Sequence, residues 1–167
     1  MQISGLIYLL SPYHTNIGKR LIKSPKIYFA DHGLLCYLMG VENEKDWNSH
    51  PYKGNLWENF VMMELIKNNS LTPGYNLFFY RDQNNVEIDF IIEKKRKLFF
   101  IEAKAGERID KTKLNFHKVI PLFAEKYITE AILAQNIYEK DVIKLREYSC
   151  YNPLFTGYPL FTGYPLF

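Results

Sequence analysis

Glu87, Asp89, Glu102 and Lys104 lie close together in the stretch Leu77–Ala105, LFFYRDQNNVEIDFIIEKKRKLFFIEAKA. The stretch predicts three short strands joined by two tight turns. In the second strand Glu87 and Asp89 share one face, with Val86, Ile88, Phe90 and Ile92 on the other. In the third, Glu102 and Lys104 share a face with Phe100, while Phe99, Ile101 and Ala103 lie opposite. A turn centred between Lys95 and Arg96 sets Asp89 across from Glu102 and Glu87 across from Lys104. Like charges directly opposite one another destabilise a strand pair, so an Asp–Glu pair asks for a reason. A hard divalent cation, Mg²⁺ or Mn²⁺, bound through carboxylates and substrate phosphates would supply one. Lys104 would then be a fixed positive charge beside the metal, suited to an anionic substrate or a nucleophilic water. The alternative is an exposed sheet face on which Glu87 and Lys104 form a surface ion pair and Asp89 is solvated.

The elements that must position these groups can be read on either side. Residues Asn55 to Asn68 predict the longest helix, with Leu56, Phe60, Met63 and Lys67 along one stripe and Trp57, Val61 and Leu65 along the next. That breadth implies burial on more than one side. Glu58 sits among these apolar residues. A buried carboxylate must be hydrogen-bonded, paired or metal-bound, although an acid in a first helical turn is also favoured by the helix dipole. Upstream, Gly5–Tyr13 and Lys26–Ala30 predict two strands around a polar, basic connection, and Asp31–Met39 a short helix capped by Asp31 and stopped by Gly40. Downstream, Asp110 or Thr112 would cap a helix carrying Leu114, Val119 and Ile120, limited by Pro121. Strands are expected at Ile128–Leu133 and Asp141–Leu145. The order is that of an α/β core with a mixed central sheet flanked by helices.

Composition bounds the function classes. The chain has 167 residues, 47% hydrophobic and 23% charged, enough to bury a core. A net charge of +3 does not demand nucleic acid, but the local runs GKRLIKSPK and KKRK are basic. No apolar run reaches membrane-spanning length and no secretory leader opens the chain, so no membrane partner and a cytoplasmic location are expected. Cys36 and Cys150 lack metal spacing and predict free thiols. His32 and His117 predict structural or exposed roles and His50 a loop position. The GKR triplet is no phosphate loop, so ATP is not expected to bind here. The tail repeats TGYPLF, with Gly and Pro in each copy, and predicts an unstructured or artefactual segment.

Glu58, Asp89 and the triplet Glu102-Ala103-Lys104 together resemble the PD-(D/E)XK nuclease superfamily. More narrowly, YHTNIGKRLIKSPKIYFADHGLLCYLMG, GNLWENFVMMEL, FFYRDQNNVEIDFII and FIEAKAGERI resemble the C-terminal module, a domain of unknown function, of prokaryotic AAA-type ATPases. The resemblance covers about residues 5 to 125. It implies a restriction-endonuclease-like core preceded by a hairpin like the wing of a truncated winged-helix module. The divisions expected are 1–45 for that remnant, 46–150 for the nuclease-like domain and 151–167 for the tail. Glu58 would assist metal binding, Asp89 and Glu102 would be the ligands, and Lys104 would position or activate water. Arg81 could contact phosphate or form a structural ion pair. Partners implied are DNA and the N-terminal ATPase region of a parent protein. Ile88 replaces the proline for which the superfamily is named, and some members of the superfamily bind DNA without cutting it. The two functions in view are therefore a Mg²⁺-dependent DNA phosphodiesterase and an inactive nuclease-like module that binds DNA or protein and regulates the ATPase.

Overall fold

The computed structural model describes residues 2–3, 5–13, 24–69, 71–106, 110–135, 143–145 and 148–151. The expected basic wing tip, within residues 14–23, and the repeated tail from residue 152 lie outside them. Strands β1 (Gln2–Ile3), β2 (Ile7–Leu10) and β3 (Lys26–Phe29) pair antiparallel in a small sheet. Helices α1 (His32–Leu38), α2 (Glu44–Ser49) and α3 (Lys53–Asn69) follow. The main sheet holds β4 (Leu77–Arg81), β5 (Glu87–Lys94), β6 (Lys97–Lys104), β7 (Ile128–Gln135), β8 (Ile143–Leu145) and β9 (Tyr148–Tyr151), in the order β4-β5-β6-β7-β9-β8. The β4-β5-β6 meander is antiparallel and β6 runs parallel to β7, so the sheet is mixed as expected.

Local chemistry accounts for most boundaries. Asp31 caps α1, its carboxylate accepting from the Leu34 amide at 2.9 Å, and Gly40 stops it at φ +73°. Asp82 accepts from the amides of Asn84 and Val86 and so builds the turn between β4 and β5. Lys94 faces Lys97 across the next turn, where Lys95 adopts φ +54°. The β5–β6 register is the one expected from the sequence, with Phe90 opposite Ile101 and Ile92 opposite Phe99. The helix expected after residue 110 is shorter and broken. Asp110 caps a 3₁₀ turn, Lys111–Lys113, by accepting from the Thr112 amide and hydroxyl; α4 (Phe116–Val119) is one turn long, and Pro121 opens a second 3₁₀ turn.

Two apolar layers cover the sheet. On one side α3 lays Trp57, Val61, Met62 and Leu65 over Phe79, Phe90, Ile92, Phe99 and Ile101. The Trp57 indole donates to the Ala134 carbonyl at 3.0 Å, tying α3 to β7. On the other side Leu114, Phe116, Val119 and Phe123 pack on Phe78, Ile88, Ile91, Leu98 and Phe100. Burying each such side chain stabilises the fold by about 1.5–3 kcal/mol, which explains why β5 and β6 read as near-continuous apolar runs. The hairpin enters these layers too. Leu10 and Tyr28 join the α3 side and Tyr13 the other, while the Tyr13 amide donates to the Phe79 carbonyl on the β4 edge at 2.6 Å.

One sequence expectation fails within β5. Ile88 and Phe90 do not share a face: Ile88 lies in the second layer and Phe90 under α3. The β4–β5 register shifts between Phe78 and Tyr80, so that Asp89 and Phe90 together span the place of Phe79. A bulge of this kind inserts one residue, breaks the alternation and re-aims a side chain. Here the residue re-aimed is Asp89.

Candidate metal centre

The bulge turns Asp89 toward α3, where it meets Glu58 and Glu87. One carboxylate oxygen from each of the three lies within 4.8 Å of the others. Glu58 is not in the first turn of its helix, because α3 begins at Lys53 and has no acid there. The helix-dipole explanation for Glu58 is thereby removed. Its carboxylate instead accepts from the Lys26 ammonium at 2.8 Å and the Tyr28 hydroxyl at 2.5 Å.

Lys26, at the start of β3, is the residue that sequence reasoning missed. Its Nζ contacts Glu58 and Glu87 and stands 3.9 Å from Asp89, so one ammonium serves three carboxylates. A signal was present in KIYF. Strand alternation puts Lys26 and Tyr28 on one face, with Ile27 outward and 63% exposed. A lysine sharing the inward face of a buried tyrosine needs acidic partners.

Glu87 does not pair with Lys104 as the exposed-face alternative supposed. It is held by Lys26 and by Arg81, whose guanidinium also lies over the Phe79 ring. Arg81 therefore makes the structural ion pair that was one of its two expected roles. Lys104 reaches Asp89 at 3.7 Å and Glu102 at 3.0 Å. Glu102 itself faces away from the three-carboxylate group. Phe99, Ile101 and Ala103 lie under α3, so alternation sends Glu102 to the other side, where it is 2% exposed and accepts from the Asn115 amide at 2.5 Å. Asp89 accepts from the Ala103 amide at 2.8 Å, and the β5–β6 ladder starts one residue further on, at Phe90–Ile101. The predicted face-to-face Asp89–Glu102 pair is thus replaced by two carboxylates linked through Lys104. Asn115, also missed, binds β5 as well by donating its side-chain amide to the Glu87 carbonyl at 3.0 Å.

Electrostatics follow from this packing. Burial, and then the neighbouring Glu58, push the Asp89 carboxyl up to about 7, against the opposing pull of Lys104, Lys26 and the Ala103 amide. Burial works to lower Lys26, yet Glu58 and Asp89 overcome it and leave the ammonium above its ordinary value. Lys104 behaves alike, burial opposed by Asp89 and Glu102 with a net rise. Burial would raise Glu87, but hydrogen bonds from Arg81 and Lys26 hold it below the usual carboxylate range. Tyr28 is pushed well up, by burial first and Glu58 second.

The donor set suits a hard cation. Three carboxylate oxygens at this spacing could hold Mg²⁺ or Mn²⁺ and would not suit a soft metal. The Lys26 ammonium already stands among them as a cation of the chain's own. An open cleft of about 500 Å³ reaches the group, walled by Ile27, Leu35, Met39 and Tyr52 and edged by Arg81. Among the described residues no histidine belongs to this group. His32 packs edge-on against Phe60 and contacts Cys36, and burial lowers its pKa. His50 accepts from the Tyr52 amide in a loop, and His117 is exposed. No helix among the described residues is long and apolar enough to cross a membrane.

Residues 53–148 match the family described as a domain of unknown function, DUF4143, and residues 1–45 match a second, the domain of unknown function DUF8612. The uncharacterized proteins Mb2031c of Mycobacterium bovis and Rv2008c of Mycobacterium tuberculosis are each 36% identical to this chain over 95 residues. Those residues are 57% of this chain and 21% of either relative, so the matched segment spans about a fifth of the curated relatives' length. Among solved structures, a refined half-complex from a tetradecameric assembly of Thermococcus gammatolerans McrB AAA+ hexamers with bound McrC is similar at a TM-score of 0.38 and 14% identity. The likeness covers 59% of this chain and 27% of that one.

Proposed function

The chain belongs to the DUF4143 family, and from that footing we propose that it is a nuclease-like module of an AAA-type ATPase whose acidic centre hydrolyses DNA phosphodiesters with a divalent cation. The observation that carries this reading is the convergence of Glu58, Glu87 and Asp89 within 4.8 Å, with Lys104 alongside Asp89 at 3.7 Å. Support for the ATPase association comes from the four sequence segments that resemble the C-terminal module of such proteins, most of which fall within the family match.

A bound Mg²⁺ would supply Lewis-acid stabilisation of charge developing on the phosphate. Glu58 and Asp89, with Glu87 added by the geometry, are the groups that would hold it. Lys104, with Glu102 as its anchor, is placed to orient a water beside Asp89, and its raised pKa keeps it cationic. Glu102 acts in this reading as the residue that positions Lys104, because its own carboxylate is turned toward Asn115. The exposed Arg81, at the cleft edge, is available to a phosphate if it leaves Glu87. ATP would be handled by the ATPase region of the larger protein.

A second reading rests on the same burial of Glu102 and on the ion pairs that already satisfy the acidic group. It is a nuclease-like module without catalysis, which binds DNA or a protein partner and regulates the parent ATPase. Calorimetric titration of Mg²⁺ and Mn²⁺ into the wild type and Asp89→Ala, with duplex DNA present, separates the two. Cation binding and DNA cleavage, both lost in the variant, support the phosphodiesterase. Salt-sensitive duplex binding that survives Asp89→Ala with Glu102→Ala, and no cleavage by the wild type, supports the second. Absence of cation binding under all these conditions refutes the metal centre.

A further inference from the structure

We propose that Lys26 is a built-in counter-cation that occupies the acidic centre and must leave it for a divalent cation to bind, so that metal occupancy is coupled to the docking of the N-terminal hairpin. The inference rests on the metal centre proposed above but concerns a residue to which that reading gives no part. Lys26 Nζ lies 2.8 Å from Glu58 and 3.9 Å from Asp89, and contacts Glu87 as well. These are the three carboxylates whose oxygens are close enough to share one ion. An ammonium and a divalent cation cannot both take the space between oxygens that lie within 4.8 Å of one another. Their mutual repulsion in a partly buried site opposes joint occupancy further.

The origin of Lys26 gives the exchange a mechanical consequence. Lys26 belongs to β3, whose remaining hydrogen bonds to α3 are local and stand beside the packing of Tyr28 in the apolar layer under that helix. Tyr28 donates to Glu58, and the Phe29 backbone exchanges two hydrogen bonds with the Asn59 side chain, at 2.7 and 3.1 Å. The Tyr28 hydroxyl and the ammonium share the same Glu58 oxygen, so a cation recruiting that oxygen draws on both contacts at once. With the hairpin docked, the centre is neutralised by the chain itself. With Lys26 withdrawn, three acids are left without their shared cation and the centre becomes a strong cation site. A hairpin that moves with a neighbouring domain would thereby switch metal occupancy.

Mn²⁺ titrations of the full chain and of Lys26→Met, which keeps the aliphatic packing, test the competition. The variant is expected to bind Mn²⁺ on the order of tenfold more tightly or better, given the repulsion removed. In the wild type, saturating Mg²⁺ is expected to shift the Lys26 Cε resonance and to speed amide exchange at Ile27–Phe29, a readout that needs no variant and survives a failure of Lys26→Met to fold. Equal or weaker cation binding by Lys26→Met, or a Lys26 resonance and β3 exchange unmoved by bound Mg²⁺, overturns the exchange while leaving the metal centre standing. No cation binding by either protein overturns the metal centre and the exchange with it.

Discussion

Replacing Asp89 by Asn should make the protein more stable, and more so as the pH rises. Asp89 is 14% exposed, and burial and the Glu58 charge lift its carboxyl from 3.8 to about 7. A carboxyl whose folded pKa exceeds its unfolded value favours the folded state in its protonated form. That contribution is complete below about pH 4 and is lost as the pH climbs through about 7. Each unit of difference corresponds to about 1.4 kcal/mol, so ionising Asp89 costs the folded protein on the order of 4 kcal/mol by pH 8. Asn has the shape of the protonated acid, can still accept from the Ala103 amide and does not ionise. Urea unfolding of both proteins in chelator, at steps between pH 5 and 8, measures the gap. The stability of Asp89→Asn relative to wild type should widen with pH, reaching several kcal/mol at the alkaline end. A gap that stays constant across that range would mean that Lys26, Lys104 and the Ala103 amide keep Asp89 ionised throughout, and the reasoning from burial would be wrong.

Other consequences can be measured alongside. Glu58→Gln should destabilise the fold by about 1–3 kcal/mol, since it leaves Lys26 and Tyr28 with a weaker acceptor. In the same variant the Tyr28 phenol, seen by ultraviolet absorbance, should ionise at lower pH than in the wild type. Trp57→Phe should cost about 1–3 kcal/mol in denaturant unfolding, because the buried Ala134 carbonyl loses its indole donor. Lys95→Gly should raise stability by up to about 1 kcal/mol, since Lys95 holds φ +54° in the turn between β5 and β6 and glycine adopts that region freely. A loss of stability there would show that the lysine side chain contributes more than its backbone strain.

The features legible in the sequence are those set by residues near one another along the chain. Asp31 and Gly40 bound α1 because capping and left-handed backbone act within a turn. The turn at Lys95 and Arg96 implied the β5–β6 register, because a two-residue loop and alternating side chains leave no freedom to slip. The apolar stripes of α3 and the mixed sheet followed from the same periodicities, whereas the grouping of Glu58 with Asp89 was implied only by the family resemblance. What only the tertiary structure decided depends on contacts between distant segments. The bulge at Asp89 arises where β5 must satisfy β4 and β6 at once, and period-two alternation cannot announce it. It turns Asp89 toward α3 and leaves Glu102, unbulged, facing Asn115 on the other side. Lys26 arrives from a hairpin thirty-two positions before Glu58. Alternation in KIYF shows only that Lys26 faces inward and needs acids; which acids is decided by burial of the hairpin against β4 and α3, which places one ammonium among three carboxylates.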